Sequence, residues 1–277
     1  MASAPEISKI QIREIDELAQ MRAVEELQKE IWGIPDLDVV PLTHLVAARE
    51  AGGVLIGAFE GDMLIGFVYG FPSFERRQLA HHSHMLAVKP DYRNIDLGRR
   101  LKLAQREHVM AQGIGLISWT FDPLQSLNAY FNFSKLGVLA DRYLPDFYGE
   151  DAASFLHQTG TDRLWVSWFV SSERVQRKIS GASDEVGFSA APSLIEVDQD
   201  DSPRRNAFSD EDRVVIEIPS NIDALQQQNR ETAWRWREET RWAFTEALKT
   251  GYFVEAFARE TRGDKQIGKY FLLRGSI

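Results

Sequence analysis

His81-His82-Ser83-His84-Met85-Leu86-Ala87-Val88-Lys89-Pro90-Asp91-Tyr92-Arg93-Asn94-Ile95-Asp96-Leu97-Gly98-Arg99-Arg100-Leu101 reads as a strand, a loop and the start of a helix. A loop that leads straight into a helix points several unpaired backbone N–H groups, and the positive end of the helix dipole, at any anion lodged there. Gly98 lets backbone and anion approach closely, and Arg93, Arg99 and Arg100 add full positive charge. These features suit a pyrophosphate. They also fit an ordinary strand-to-helix connection with surface arginines.

Outward from this stretch, the pattern upstream predicts a strand over Ile7 to Ile15. A helix follows, with Asp16 as cap and Leu18, Met21, Val24, Leu27 and Ile31 on one stripe, ended by Gly33 and Pro35. A short helix over Thr43 to Glu50 is expected to start at a Thr43 cap. Val54 to Phe59 and Met63 to Tyr69 read as a hairpin about Glu60-Gly61-Asp62, and Leu79 to Val88 as the next strand. The helix from about Gly98 to Gln112 stops at Gly113 and Gly115.

Downstream, Ile114 to Phe121 is a strand, Ser126 to Leu136 a helix closed by Gly137, and Arg163 to Val170 a strand. From Ser180 to Asp212 periodicity fades into Ser, Ala, Asp, Pro and Arg, which reads as a linker or long loop. Beyond it come a strand from Arg213 to Ile218, one long helix from Ala224 to Lys249, and strands over Tyr252 to Ala258 and Lys269 to Leu273. The expected organisation is a core over 1–180, a linker over 181–212, and a β-α-β extension over 213–277 that packs on the core or partly repeats it.

Composition sets limits on partners. The 277 residues are 44% hydrophobic and 26% charged with a net charge of −9, ordinary for a globular chain and unfavourable for general nucleic-acid or anionic-membrane binding. The absence of cysteine excludes disulfides, thiolate nucleophiles and cysteine metal sites. No apolar run reaches membrane-spanning length and the N-terminus does not read as a leader, so a cytoplasmic location is expected. Three histidines in four residues suggest a metal, but alternation on a strand turns one away from the other two, so no metal is expected. The Arg- and Trp-rich stretch Trp234 to Trp242 has core-like spacing, which favours packing over an RNA or protein contact.

The decisive stretch resembles motif A of the GNAT superfamily of acyl-CoA-dependent N-acyltransferases. There a strand ending in an x-Val-x-Pro-like turn runs into Arg/Gln-x-x-Gly-x-Gly/Ala and a helix. Arg93 matches the first position and Gly98 the last, while Asp96 stands at the middle glycine. A carboxylate about 5 Å from a phosphate costs roughly 1–3 kcal/mol unless it points away. Ser126-Leu127-Asn128-Ala129-Tyr130-Phe131-Asn132-Phe133-Ser134-Lys135-Leu136-Gly137 resembles motif B, with Ala129, Lys135, Leu136 and Gly137 in register and Asn128 two places late. Phe121-Asp122-Pro123-Leu124, Phe147-Tyr148-Gly149 and Thr161-Asp162-Arg163-Leu164 with Trp168 resemble a branch related to N-succinyltransferases found beside N-succinylamino acid racemases.

The resemblance implies an α/β fold, a mixed and mainly antiparallel central sheet flanked by helices, and an acetyl-CoA or other acyl-CoA cosubstrate. It implies transfer of an acetyl or succinyl group to the primary amine of a small molecule, and leaves a homodimer open. Leu86, Ala87 and Val88 match the strand whose backbone contacts the acyl group. Arg93, Asn94, Asp96, Leu97, Gly98 and Arg99 match the phosphate cradle, with Asn128 and Phe131 as further CoA contacts. His82 falls where relatives often carry a general-base carboxylate, and His84 shares its expected face with Leu86 and Val88. Glu75 and Asp122 are alternative polar groups. Phe133 occupies the place of a tyrosine that protonates the departing thiolate and cannot donate, so Tyr148 or Tyr130 would have to do so. The alternative is a catalytically altered module of this fold that binds an acyl-CoA or a protein partner.

Overall fold

The computed structural model describes residues 9–149, 159–181, 191–209 and 211–277. They cluster into two compact units, one within residues 9–119 and one within 120–277. The expected strand start at Ile7 and residues 182–190 and 210 of the expected linker lie outside the described residues.

The first unit runs β1 (Ile10–Glu14), α1 (Leu18–Trp32), α2 (Leu42–Glu50), β2 (Val54–Glu60), β3 (Met63–Glu75), β4 (Gln78–Val88), α3 (Leu97–Ala111) and β5 (Leu116–Phe121). The order in its sheet is β1-β2-β3-β4-β5. Pairing is antiparallel up to β4, and β4 and β5 are parallel. Met21, Val24 and Leu27 of α1 and Leu45 and Ala48 of α2 bury their apolar stripes against Phe67, Tyr69, Met85 and Ala87 on one face. On the other face, the places of the missing Cβ atoms of Gly66 and Gly70 lie against Leu101 and Gln105, which puts α3 there.

Both helix starts differ from expectation. Glu17, not Asp16, is the N-cap of α1, and its side chain makes no cap bond; Asp16 instead accepts from Arg49 through its carbonyl (2.9 Å). α2 starts at Leu42 after Pro41, so Thr43 lies inside the first turn. Gly33 does end α1, in the left-handed conformation (φ 59°). β3 continues past Tyr69 to Glu75, because Arg76 and Arg77 both adopt positive φ (51° and 60°) and make a tight turn where no glycine marks one.

The second unit contains α4 (Ser126–Ala129), β6 (Leu139–Leu144), β7 (Arg163–Phe169), α5 (Glu173–Ile179), β8 (Ser193–Val197), β9 (Pro203–Arg205), β10 (Arg213–Pro219), α6 (Ile222–Gln228), α7 (Arg230–Lys249), β11 (Tyr252–Arg262) and β12 (Lys265–Arg274). Its strands run β7-β6-β11-β12-β10-β8-β9. β8 and β9 lie inside the stretch that composition assigns to a linker. In this sheet Val254 of β11 pairs with Ala140 of β6.

The long helix expected over Ala224 to Lys249 is two helices. Asn229 breaks it in an extended conformation, and its side chain accepts from the Thr232 N–H at 3.1 Å to cap α7. α7 packs as its spacing predicts, with Trp236, Ala243, Phe244 and Ala247 fully buried. Its arginines are less ordinary. Arg237, 1% exposed, donates to Asp122 Oδ2 (2.7 Å) and the Thr159 carbonyl (2.8 Å), while Arg241 binds Asp162 and Asp146. Tyr143 also donates to Asp162 (2.6 Å), and its ring stacks on Phe244.

Candidate active site

The cradle begins where β4 ends. A short 3-10 turn over Pro90–Tyr92 leads to Arg93, whose Nε donates to the Val88 carbonyl (3.3 Å). Asn94 and Asp96 then take left-handed backbone conformations, with φ of 66° and 61°. Left-handed geometry favours glycine, and among side-chain-bearing residues Asn and Asp tolerate it best. The middle glycine position of the sequence motif thus keeps glycine's conformation although an aspartate fills it.

Asp96 is also the N-cap of α3, but its side chain makes no cap bond to the first N–H groups of the helix. Its Oδ2 accepts from Arg99 Nη1 at 3.0 Å instead. That pairing turns the carboxylate toward its own helix and offsets one of the charges expected to serve an anion. A Cβ added at Gly98 would meet only Leu86 Cδ2, at 3.9 Å, so the space over the helix start is open.

β4 itself departs from simple alternation. Its register with β3 runs Tyr69↔Met85 and then Gly70↔Ser83, leaving His84 as an extra residue in a bulge. One extra residue inverts the phase of everything beyond it. His82 and Met85 therefore face α1 and α2 together with Ala87, whereas Leu86 and Val88 join His81 and Ser83 on the α3 face. The expectation that His82, His84, Leu86 and Val88 share one face is corrected by this bulge.

Lys89 N–H donates to Ile65 O in β3. By the two-residue alternation of a strand, Ala87 N–H points the same way, and those of Leu86 and Val88 point to the opposite edge. On that edge β4 pairs with β5 only at His81↔Ile117 and His82↔Ser118. The backbone groups of Leu86 and Val88 thus project beyond the paired part of the two strands.

On the α2 face, His82, His84 and Phe71 form a cluster with ring centroids 5.5 to 6.2 Å apart. Tyr69 extends it to His44 of α2. Tyr69 Oη and Ser73 Oγ, on the same face of β3, are buried without a hydrogen-bond partner among the described residues. Burial pushes the Tyr69 hydroxyl up to about 12. Burial, then the nearby His84 and Lys102, pushes the half-buried His82 down to about 4. His82 is therefore neutral near pH 7, and its conjugate acid is strong. His84, at the bulge, is exposed.

The α3 face carries a buried polar network that the motifs do not announce. Lys102, 2% exposed, donates to Ser83 Oγ (2.8 Å) and Gln105 Oε1 (3.0 Å), and its Nζ lies 3.7 Å from the Trp119 ring centroid. Ser83 donates to Gln105 (2.9 Å), whose Nε2 lies 3.1 Å from His81 Nε2. Gly70 makes room for it, since a Cβ there would lie 2.3 Å from His81 Nε2 and 2.6 Å from the His82 carbonyl. The sequence holds one sign of this network: Gln105 interrupts the four-residue series Leu97, Leu101, Gln105, Val109 on the buried side of α3. Among the described residues no three His, Asp or Glu side chains gather as a metal site.

The remaining sequence-predicted residues lie in the second unit. Asn128 is exposed on α4, and Phe131 is half-buried in the π-helical turn Tyr130–Leu136 that follows. That turn ends at Gly137 in the left-handed conformation (φ 78°). Phe133 is 1% exposed and packs edge-on against Phe121 and Tyr270. Tyr148 is exposed, with Arg163 over its ring at 5.0 Å. Asp122 is committed to Arg237 and to the Leu124 N–H.

Residues 16–137 match the acetyltransferase (GNAT) family. The matched segment includes the whole of β4, the cradle and α3, together with the π-helical turn. The observed architecture, α/β with a mainly antiparallel strand arrangement flanked by helices, is that of the fold expected for this family. Solved structures similar to the chain include the aminoglycoside 6'-N-acetyltransferase of Enterococcus faecium, at 18% identity and TM-score 0.44, covering 58% of this chain and 98% of that one. The ribosomal-protein alanine N-acetyltransferase of Escherichia coli is similar at 13% identity and TM-score 0.47, covering 59% and 95%. No curated protein sequence matches the chain.

Proposed function

We propose that the protein is an acyl-CoA-dependent N-acyltransferase that moves an acetyl or succinyl group to the primary amine of a small molecule, an amino acid being one such amine. The observation that carries this reading is the left-handed backbone at Asp96, which reproduces the turn of a phosphate loop at the start of α3. In this reading the pyrophosphate of CoA lies over the N–H groups of Leu97, Gly98 and Arg99, with Arg93 nearby. The Leu86 and Val88 amides offer hydrogen bonds to the acyl-pantetheine part, Ala87 being engaged with β3. We place the chain in the branch related to N-succinyltransferases on the Asp122, Tyr148 and Asp162 segments of its sequence.

The chemistry is direct attack. The amine nitrogen adds to the thioester carbonyl, the C–S bond breaks, the amine gives up a proton, and the thiolate of CoA departs. His82 is held near 4, and burial, then nearby His44, lowers His84 as well, so the choice of His84 as base rests on its solvent exposure, with His82 orienting it or a water. Buried Phe133 cannot protonate the thiolate. Tyr148 is the candidate donor. Acetyl-CoA and succinyl-CoA titrations, followed by amine screening with the donor that binds, test this reading.

A second reading is a module that binds acyl-CoA or a protein partner without turnover. The Asp96–Arg99 pair, which offsets a cradle charge, and Phe133 at the tyrosine position favour it. Any thioester turnover dependent on an added amine rejects it.

A further inference from the structure

β4 carries both the histidine pair and the Leu86 and Val88 amides, and the two groups are set in opposite phase by one bulge. A bulge shifts the side-chain phase of every residue beyond it, so whatever holds its position also decides which face each later residue takes. The residue just before His84 is Ser83, and its hydroxyl is bound to both Lys102 and Gln105 of α3. Gln105 is bound in turn to His81, the residue at which β4 still pairs with β5. The anchor therefore spans from a position paired with β5 to the residue before the bulge, and Lys102 is its centre. It reaches Ser83 and Gln105 by hydrogen bonds and Trp119 of β5 through the ring face.

We propose that Lys102 is a positioning residue: tied to Ser83 and Gln105 beneath the His84 bulge, it fixes β4 where pairing with β5 ends and so aims the Leu86 and Val88 amides at the acyl thioester. This rests on the reading of the chain as an acyl-CoA-dependent transferase. Burial pushes Lys102 well below the ordinary lysine value, and an amino group buried this deeply costs free energy unless its hydrogen bonds are made, so a lysine here is poorly explained by packing alone. Methionine of similar length would fill the same space with no such cost. Lys102 is also among the causes that hold His81, on its own face, and His82, on the opposite face, below the ordinary value, after burial.

The test compares the wild type with Lys102→Met and Ser83→Ala by thermal unfolding, amide exchange over β4, the imidazole NMR titration of His82, and calorimetry with acetyl-CoA and succinyl-CoA. In Lys102→Met the fold is retained, exchange over 82–88 quickens, the His82 midpoint rises, and the Kd of the thioester that binds increases roughly tenfold, as expected for a donor pair moved by a fraction of an ångström. If Lys102→Met does not fold, Ser83→Ala removes one tether only and gives the same readouts in smaller measure. Wild-type binding with an unchanged Kd and unchanged exchange in the variants overturns the positioning role alone. A wild type that binds neither acetyl-CoA nor succinyl-CoA overturns the transferase reading and the positioning role with it.

Discussion

Asp96 and Arg99 form an ion pair of 3.0 Å across the first turn of α3. Both side chains belong to the segment that would hold a pyrophosphate, and each reduces what the other could do there. The aspartate occupies a left-handed position suited to glycine, and the arginine is held by a partner of opposite charge. Replacing Asp96 by glycine suits the left-handed backbone conformation and removes the negative charge that pairs with Arg99. Asp96→Gly is expected to bind acetyl-CoA about tenfold more tightly, or about 1.4 kcal/mol, in calorimetric titration. Weaker binding by this variant contradicts the placement of the anion.

Gly98 tests the same site by filling it. Its surroundings leave space for a side chain without a clash, the nearest atom being Leu86 Cδ2 at 3.9 Å. Gly98→Val should therefore fold with a melting temperature close to the wild type while its acetyl-CoA Kd rises more than about tenfold. An unchanged Kd removes Gly98 from the cradle.

The histidines make a prediction about pH. Folded His81 and His82 are pushed down to about 3 and about 4 from 6.5, so between about pH 4 and 6.5 the unfolded chain binds more protons than the folded one. Stability therefore rises with pH across that window and is lost as pH falls through it. His82→Phe should flatten the rise in urea midpoints between pH 4.5 and 6.5; a profile identical to the wild type would show that His82 is not held low. In turnover, His84→Ala is expected to lower kcat more than His82→Ala, because only His84 combines exposure with a place at the bulge.

The second unit depends on buried charge pairing. Arg237→Met leaves Asp122 buried without its cation and should cost about 3–5 kcal/mol in denaturant unfolding. Asp162, although burial pushes it upward, is held below the ordinary carboxylate value by Arg241, Tyr143 and the Asp146 N–H. Its contribution is present above about pH 3.9 and is lost as pH falls through the lower folded value. Asp162→Asn should therefore reduce stability at pH 7 and show a smaller further loss on acidification than the wild type.

Much of the first unit was legible because its signals are local. The α1 stripe, the stop at Gly33 and the strand-to-helix connection all follow from spacing that any folded context would respect. The His84 bulge was not legible, since an extra residue in a strand leaves no mark on composition and is set by pairing with β3. The same holds for the Arg76–Arg77 turn, where two arginines adopt a conformation usually marked by glycine or asparagine. β6 and α5 were missed because each is short and its pattern is set by its packing, and the break at Asn229 was hidden inside an otherwise helical run. In the site, Lys102 and Ser83 carry polar atoms whose value depends on burial that the sequence does not state.

The most direct test of the central claim is calorimetric titration of acetyl-CoA and succinyl-CoA into the wild type and Gly98→Val side by side at low salt. Acyl transfer through the β4 and α3 cradle predicts micromolar binding of one thioester by the wild type and its loss in the variant. No binding of either thioester by the wild type, or equal binding by both proteins, would contradict it.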